Sequence, residues 1–532
     1  MQNLINSQVN SLNSFSSDFI LFNVASKLPS NLLSSFEEIG AFVCSKEAQD
    51  LARLANKNTP NLYLYDEFAN EGQFLEIHPS YHALLRRSKY VGLVSSLWEN
   101  ASNEKGVHYQ ARAIRLFLLA GLENGHLDEI IQTNAGIAAL INEAELYKML
   151  KPYLLSRQHD ASEREIIKKK AISFSIVALK EEQHNFARKL NTNNDLLINN
   201  YSLMAQNCIV ATPNADAFFV LAEFGGALCY FLVPKFDMHG KINNIKINHL
   251  MNSAGYRSRP LAKVNFENSV CWMIGQVGEG KKILDSLEII RQFDQSLVAV
   301  STMRAALNFT IACLRNNASK FTNIAKRTLA DISLDVAGAQ AFIFRLARAF
   351  DNSASNQNEA AFARIMAPVA SYWINSLVAP VISELITHLG LEHYNENNFL
   401  VRSLQDAPVR LLNSKNIDEM VKDIISVSNR APSLVQQIYA QITQNTPIVG
   451  GKTIEVLNAA TKLAMSDESA GRFLVEQIAY SAATSSLYEF NREIIFKAFA
   501  ESRLGGQWRS SYGTLNMRHN PDQILNLLYP SF

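Results

Sequence analysis

Over the first 165 residues, apolar positions recur at three- and four-residue intervals behind a polar, Asn- and Ser-rich leader. This spacing predicts helices, among them 83–100 and 108–122. His78-Pro79 marks a boundary, because proline disfavours helical geometry in the residue before it. From about 172 to 274 the period changes. Short runs rich in β-branched and aromatic residues follow one another: ISFSIVAL, LLINNYSLMAQNCIV, AFFVLAEF, ALCYFLVPKF, INNIKINHL and AKVNFENSV. Gly225-Gly226, His239-Gly240 and Asn268-Ser269 supply turn chemistry between them. The series predicts a small barrel or sandwich-like β-domain. After Gly280 the helical period returns over 284–314, 323–350, 359–390 and 417–428, long enough for a four-helix bundle, with Gly390 as the C-cap of the third. Ala431-Pro432 marks a join to a further helical region, in which 447–451 (PIVGG) reads as a loop. The fold class is thus mainly α with a central β-domain. The expected parts are a helical N-terminal domain (1–165), a β-domain (166–280), a helical bundle (281–430) and a C-terminal helical domain (431–532).

Composition narrows the chemistry. A chain of 532 residues exceeds one compact core. With 48% hydrophobic residues, 19% charged residues and a net charge of +1, its overall charge does not point to nucleic acid or an anionic membrane. The five cysteines lie far apart among apolar neighbours and read as buried thiols, not as a disulfide framework or zinc site. No signal-peptide pattern and no apolar run long enough to span a bilayer is read, so a cytoplasmic protein without a membrane partner is expected. There is no G-x-S-x-G elbow or Walker-type loop. His78 and His82, four apart and near Glu76, have the residue types of a metal site, but the intervening proline breaks the helical spacing. They read as structural histidines, and no metal is expected. Lys168-Lys169-Lys170 reads as a solvated edge.

The stretch from Leu51 to His82, LARLANKNTPNLYLYDEFANEGQFLEIHPSYH, holds an Arg-Leu-Ala-Asn run, a Tyr-Asp pair and a His-Pro-aromatic-His cluster. It resembles the N-terminal region of the AidB-like branch of the acyl-CoA dehydrogenase family. Phe344 to Asp351 (FRLARAFD) also resembles that branch, and Gly275 to Gly280 (GQVGEG) is similar to the loop-to-helix step of acyl-CoA dehydrogenases in general. The resemblance implies the acyl-CoA dehydrogenase fold: helical N-domain, β-barrel-like middle domain and four-helix bundle, with an added C-terminal helical domain. It also implies FAD, a carboxylate base that takes an α-proton from an acyl thioester, and assembly into dimers or tetramers.

The sites of that chemistry match poorly. The family's base is a Glu in a Trp/Tyr-Glu-Gly motif after an Ala/Met-Pro-Val-like segment. The corresponding stretch from Asp406 to Ile417 holds no carboxylate between Pro408 and Ile417. The family's Met-Thr-Glu-x-Gln-Gly-Gly-Ser-Asp flavin loop corresponds to 179–187. Glu181 and Gln183 persist there, but His184-Asn185 replaces the glycines and Phe186-Ala187 the Ser-Asp pair. Only a Cβ-free residue allows positive φ and close backbone approach at no cost. Gly-x-Lys-Trp-x-x-Ser becomes Ala205 to Ala211, with Cys208 for the stacking Trp and Ala211 for the Ser. Arg-x-x-Phe-Gly falls near 315–321 without its Gly, and Leu-Gly-Gly-x-Gly-Tyr reads Leu389-Gly390-Leu391-Glu392-His393-Tyr394. The positions the resemblance assigns to the flavin are therefore vestigial: Thr133, Leu179, Lys180, Gln183, Cys208, Ala211 and Gly390.

The sequence reading is an AidB-like protein without its catalytic base, with no cofactor, acting as a binding, scaffold or regulatory subunit. A homo-oligomer is expected, or a heteromer with an active paralogue. One alternative is an FAD-dependent acyl-CoA dehydrogenase with a substituted site. Another is a DNA-associated protein of the alkylation-protection type, for which Arg503, Arg509 and Arg518 in the acid-poor tail are the candidate contacts.

Overall fold

The computed structural model describes residues 13–65, 68, 71–99, 104–178, 185–190, 201–236, 240–317, 319–413, 417–444, 450–505 and 512–530. They form two compact units. One comprises 50–100 and 123–291, the other the segments up to 49, 101–122 and from 292 onward.

The first unit contains the β-domain. Helix α1 (Pro79–Tyr90) follows a hairpin of β1 (Asn61–Tyr65) and β2 (Glu71–Glu76), and α2 (Gly125–Leu140) and α3 (Ala144–Leu154) precede the main sheet. Strands β3 (Phe174–Ile176), β4 (Phe186–Lys189), β5 (Tyr201–Val210), β6 (Ala217–Phe224), β7 (Ala227–Pro234), β8 (Ile245–Leu250) and β9 (Ala262–Ile274) form one seven-stranded sheet. Pairing runs β4–β5–β9–β7–β6 and returns to β4 through Phe186 and Glu223, so the sheet curls into a barrel. β3 lies on β6 and β8 on β9. Its interior is aromatic and aliphatic, with Phe218, Val220, Phe231, Val264 and Phe266 buried. Gly225 and Gly226 both adopt positive φ, which lets a two-residue turn join β6 to β7.

Three sequence expectations change here. Helix α1 ends at Tyr90 and does not run on to residue 100, because Gly92 turns the chain at φ +85°. Asn268-Ser269 is not a turn: β9 runs through it, and Asn268 at φ +55° forms a bulge opposite Leu203 and Met204. The hairpin β1–β2 interrupts a region expected to be mostly helical.

The second unit is helical. Its elements are α4 (Phe19–Ala25), α5 (Leu33–Cys44), α6 (His108–Ala120), the part of α7 (Gly280–Arg315) from Gln292 onward, α8 (Asn323–Asn352), α9 (Gln357–Leu389), α10 (Phe399–Asn413), α11 (Ile417–Arg430), α12 (Pro432–Thr443), α13 (Gly450–Ser466), α14 (Gly471–Tyr488), α15 (Glu493–Arg503) and α16 (Pro521–Leu528). The longest expected helices appear nearly end for end, and Gly390 caps α9 at φ +91°. The expected fourth bundle helix is replaced. α10 packs on α9, whereas α11 packs mainly on α12 and α14. The pattern hid α10 because Pro408 lies inside it.

Helices α7 and α9 are long and apolar enough to cross a bilayer, against the expectation of no such run. Most of each apolar window is nevertheless buried within the protein. All five cysteines are free thiols, and Cys44 is only partly buried, unlike the other four. The expected loop around 447–451 begins outside the described residues.

Candidate functional site

The positions the resemblance assigns to a flavin divide between the two units. Leu179, Lys180 and Gln183 lie outside the described residues. The next residue described, Asn185, is buried; its side chain donates to the Leu221 carbonyl at 3.2 Å and its own carbonyl accepts from the Glu223 amide at 2.9 Å. Cys208 is fully buried behind the β5 bulge at Asn207 (φ +53°), and its Sγ lies 4.0 Å from Asn185 Oδ1. These two positions thus meet each other inside the barrel. Ala211, just past β5, is half-buried and brings no hydroxyl. Thr133 is fully buried; its Oγ1 donates to the Glu129 carbonyl at 2.7 Å and accepts from the Phe174 amide at 3.1 Å. Neighbouring Gln132 accepts from the Ile176 amide at 2.6 Å, so this turn of α2 clamps β3.

In the helical unit, Lys320 Nζ meets the Leu389 carbonyl at 3.1 Å and Glu392 Oε1 at 2.9 Å, closing the turn after Gly390. Lys320 holds the Glu392 carboxyl below its ordinary pKa, so the turn carries an anion. Arg315 Nη2 donates to the Tyr529 carbonyl at 2.6 Å. In the segment that should hold the base, Asp406 and Arg410 are buried on α10, and Arg410 Nη2 donates to Thr302 Oγ1 at 3.0 Å. Residues 414–416 lie outside the described residues. Asp418 and Glu419 are exposed in the first turn of α11. At this turn the Glu392 carboxylate repels a second anion, and the lysine beside Gly390 is already paired with it.

A second cluster escaped sequence reasoning. At the start of α2, Glu123 accepts from the amides of Gly125 and His126 at 2.8 and 3.0 Å, and from Ser258 Oγ at 2.7 Å. Burial raises its pKa, but the bonds from His126 and Ser258 outweigh that and hold it below the ordinary carboxylate value. His126 Nδ1 lies 2.8 Å from Glu123 and Nε2 lies 3.0 Å from Ser88 Oγ. The Ser–His–Glu order is that of a nucleophile triad. Ser88 is 0% exposed, however, and sits inside α1, where no substrate carbonyl can reach it. Only the i,i+3 spacing of Glu123 and His126 hinted at this network in the sequence. Asp128 pairs with Arg259, and Glu129 pairs with Lys89 at 3.5 Å.

His82 Nδ1 lies 3.0 Å from His159 Nε2, and the rings stack at 5.2 Å. His78 caps α1 by accepting from the Ser80 amide at 3.2 Å. The two histidines of the His-Pro cluster thus have separate structural partners. Among the described residues no group of three or more His, Cys, Asp or Glu side chains could hold a metal ion. Lys169, expected on a solvated edge, is buried against Asp216 at 2.6 Å.

In the tail, Arg503 binds Asp331 and Asp335, each at 2.8 Å, and is 14% exposed. Arg518 is more exposed and bonds Glu501 at 2.7 Å. Arg509 lies outside the described residues. Two of the three candidate DNA contacts therefore already engage carboxylates of their own unit.

Residues 6–161 match the family model described as the adaptive response protein AidB N-terminal domain. AidB of Escherichia coli (strain K12) is 27% identical over 432 residues, covering 79% of each chain. Among solved structures, the Bd2924 apo-form superposes with a TM-score of 0.82 at 18% identity, over 90% of this chain and 98% of that one. Caenorhabditis elegans ACDH-11 in complex with C11-CoA gives 0.81 at 17% identity, over 98% and 95%.

Proposed function

Because the chain belongs to the AidB-like branch of the acyl-CoA dehydrogenase family, we propose that it is a member without dehydrogenase chemistry that acts by binding. In this reading it is a cytoplasmic scaffold or regulatory protein, working as a homo-oligomer or beside an active paralogue. One observation carries the proposal: no carboxylate stands between Pro408 and Ile417, and the charged side chain described in that interval is the buried cation Arg410. A general base contributes about 10²–10⁴-fold to proton abstraction, and neither Asn nor Ser replaces it unassisted. Relatives of this fold carry FAD. Here the ion pair at Glu392 and the burial of Asn185 and Cys208 in the barrel work against that cofactor. The ion pairs of Arg503 and Arg518 weigh against the DNA-associated alternative.

The test is the visible spectrum of the purified full chain, before and after incubation with excess FAD and desalting, followed by addition of acyl-CoA thioesters of several lengths. The expected result is a colourless protein with no absorbance near 450 nm and no turnover. Stoichiometric flavin that an acyl-CoA bleaches would overturn the reading.

A further inference from the structure

Segments from opposite ends of the helical unit meet on one buried arginine, Arg304 of α7. Its Nε lies 2.9 Å from Oδ2 of Asp18. Asp18 is buried and caps α4 by accepting from the Leu21 amide at 2.9 Å. Arg304 Nη2 donates to the Leu528 carbonyl at the end of α16, also at 2.9 Å. The buried Tyr529 ring lies over the same guanidinium, its centroid 3.8 Å from Cζ. On α8, Gln340 Nε2 donates to both Asp18 oxygens, at 2.9 and 3.0 Å. Each segment also buries an apolar side, with Leu21 and Val24 on α4 and Ile524 and Leu528 on α16.

This arrangement couples segments that are far apart in the chain. In a dry interior an arginine is tolerated only while its charge and its N–H groups are matched. Lifting α16 would bring water to the guanidinium, and the attraction between Arg304 and Asp18 falls as the local dielectric rises. Removing the Asp18 charge would leave the cation under Tyr529 without that carboxylate, and water reaches it by displacing the end of α16. Each segment therefore docks better when the other is in place, and linkage makes the effect reciprocal. We propose that residues 18–25 and 521–529 form one two-ended latch on α7 and α8, keyed by Arg304, so that release of either segment loosens the other. Whatever binds or cleaves one end of the chain is then felt at the other end. The latch does not depend on the non-catalytic reading above.

The experiment is hydrogen–deuterium exchange of the full chain and its variants, read by mass spectrometry. Asp18→Asn removes the charge and keeps a side chain that caps α4. Tyr529→Ala removes the ring over Arg304. The expected result is exchange about tenfold or more faster across 521–528 in Asp18→Asn, and across 19–25 in Tyr529→Ala. Residues 329–350, inside α8, should stay protected in both. Arg304→Met should loosen both segments, and adding Asp18→Asn to it should change 521–528 no further. Tyr529→Leu carries the test if Tyr529→Ala does not fold. Loosening confined to the segment that bears the substitution would overturn the proposal. So would equal loosening throughout α8, because the loss would then be global and not a coupling of the two ends. A further loosening of 521–528 by Asp18→Asn in the Arg304→Met background would remove Arg304 as the key.

Discussion

Arg112 and Asp294 face each other in a two-pronged ion pair, Nη1 to Oδ1 at 2.6 Å and Nη2 to Oδ2 at 2.8 Å, with 1% and 0% of their side chains exposed. The pair joins α6 to α7. Removing one partner takes this two-pronged pair from a charge that stays buried, which costs about 3–5 kcal/mol. Arg112→Ala and Asp294→Ala should each lower stability by that amount in urea denaturation. The double variant Arg112→Met with Asp294→Leu should recover most of the loss, because an apolar pair of similar volume leaves no charge unpaired. A double variant no more stable than either single variant would show that the pair is not the source of the effect.

Gly125 is constrained by packing. A Cβ there would collide with Ser258 Oγ and lie 2.9 Å from Glu123 Oε1, two atoms that already bond each other. Gly125→Ala should therefore cost about 1–3 kcal/mol. Helix propensity alone would change stability in the opposite direction, by up to about 1 kcal/mol. Thermal melting decides between the two signs.

The His82–His159 pair makes stability depend on pH. Burial lowers both pKa values, that of His159 to about 3, with Lys89 adding repulsion and Glu129 opposing it. Unfolded histidine titrates near ~6.5. The folded pKa values lie below the unfolded one, so the unfolded chain binds more protons in the window between them. The pair's stabilisation is complete above pH ~6.5 and is lost as pH falls towards the folded values. The melting temperature should drop between pH 7 and 5, and His159→Asn should flatten that drop. Identical slopes for variant and wild type would remove the pair as its cause.

Arg503 bridges α15 to Asp331 and Asp335 on α8, and the Gly513 amide adds a bond to Asp331 at 3.0 Å. Arg503→Ala should cost about 3–5 kcal/mol. Arg518→Ala, at an exposed pair, should cost at most about 1 kcal/mol. Neither should change the salt dependence of any DNA retention in a gel-shift assay. A shallower salt slope for folded Arg518→Ala would restore that arginine as a phosphate contact.

Much of this protein could be read along the chain because the determinants are local. The α–β–α order, the strands from Phe174 to Ile274, the Gly225-Gly226 turn and the Gly390 cap follow from periodicity and from residues that permit positive φ. The lack of a carboxylate between Pro408 and Ile417 is a fact of sequence alone. Other features depend on partners far away in the chain. The β1–β2 ribbon is held through Gln73 by Ile247, and Phe186–Lys189 becomes a strand only beside Tyr201–Met204. Phe399–Asn413 stays helical through Pro408 while packed on Gln357–Leu389. Tertiary structure alone turned Lys169 inward to Asp216, locked Arg503 between two aspartates and set His82 against His159. Spacing along a chain records which way a side chain faces on its own element. Which charge meets it is decided only when distant segments share one dry interior, where an unpaired ion is too costly to remain.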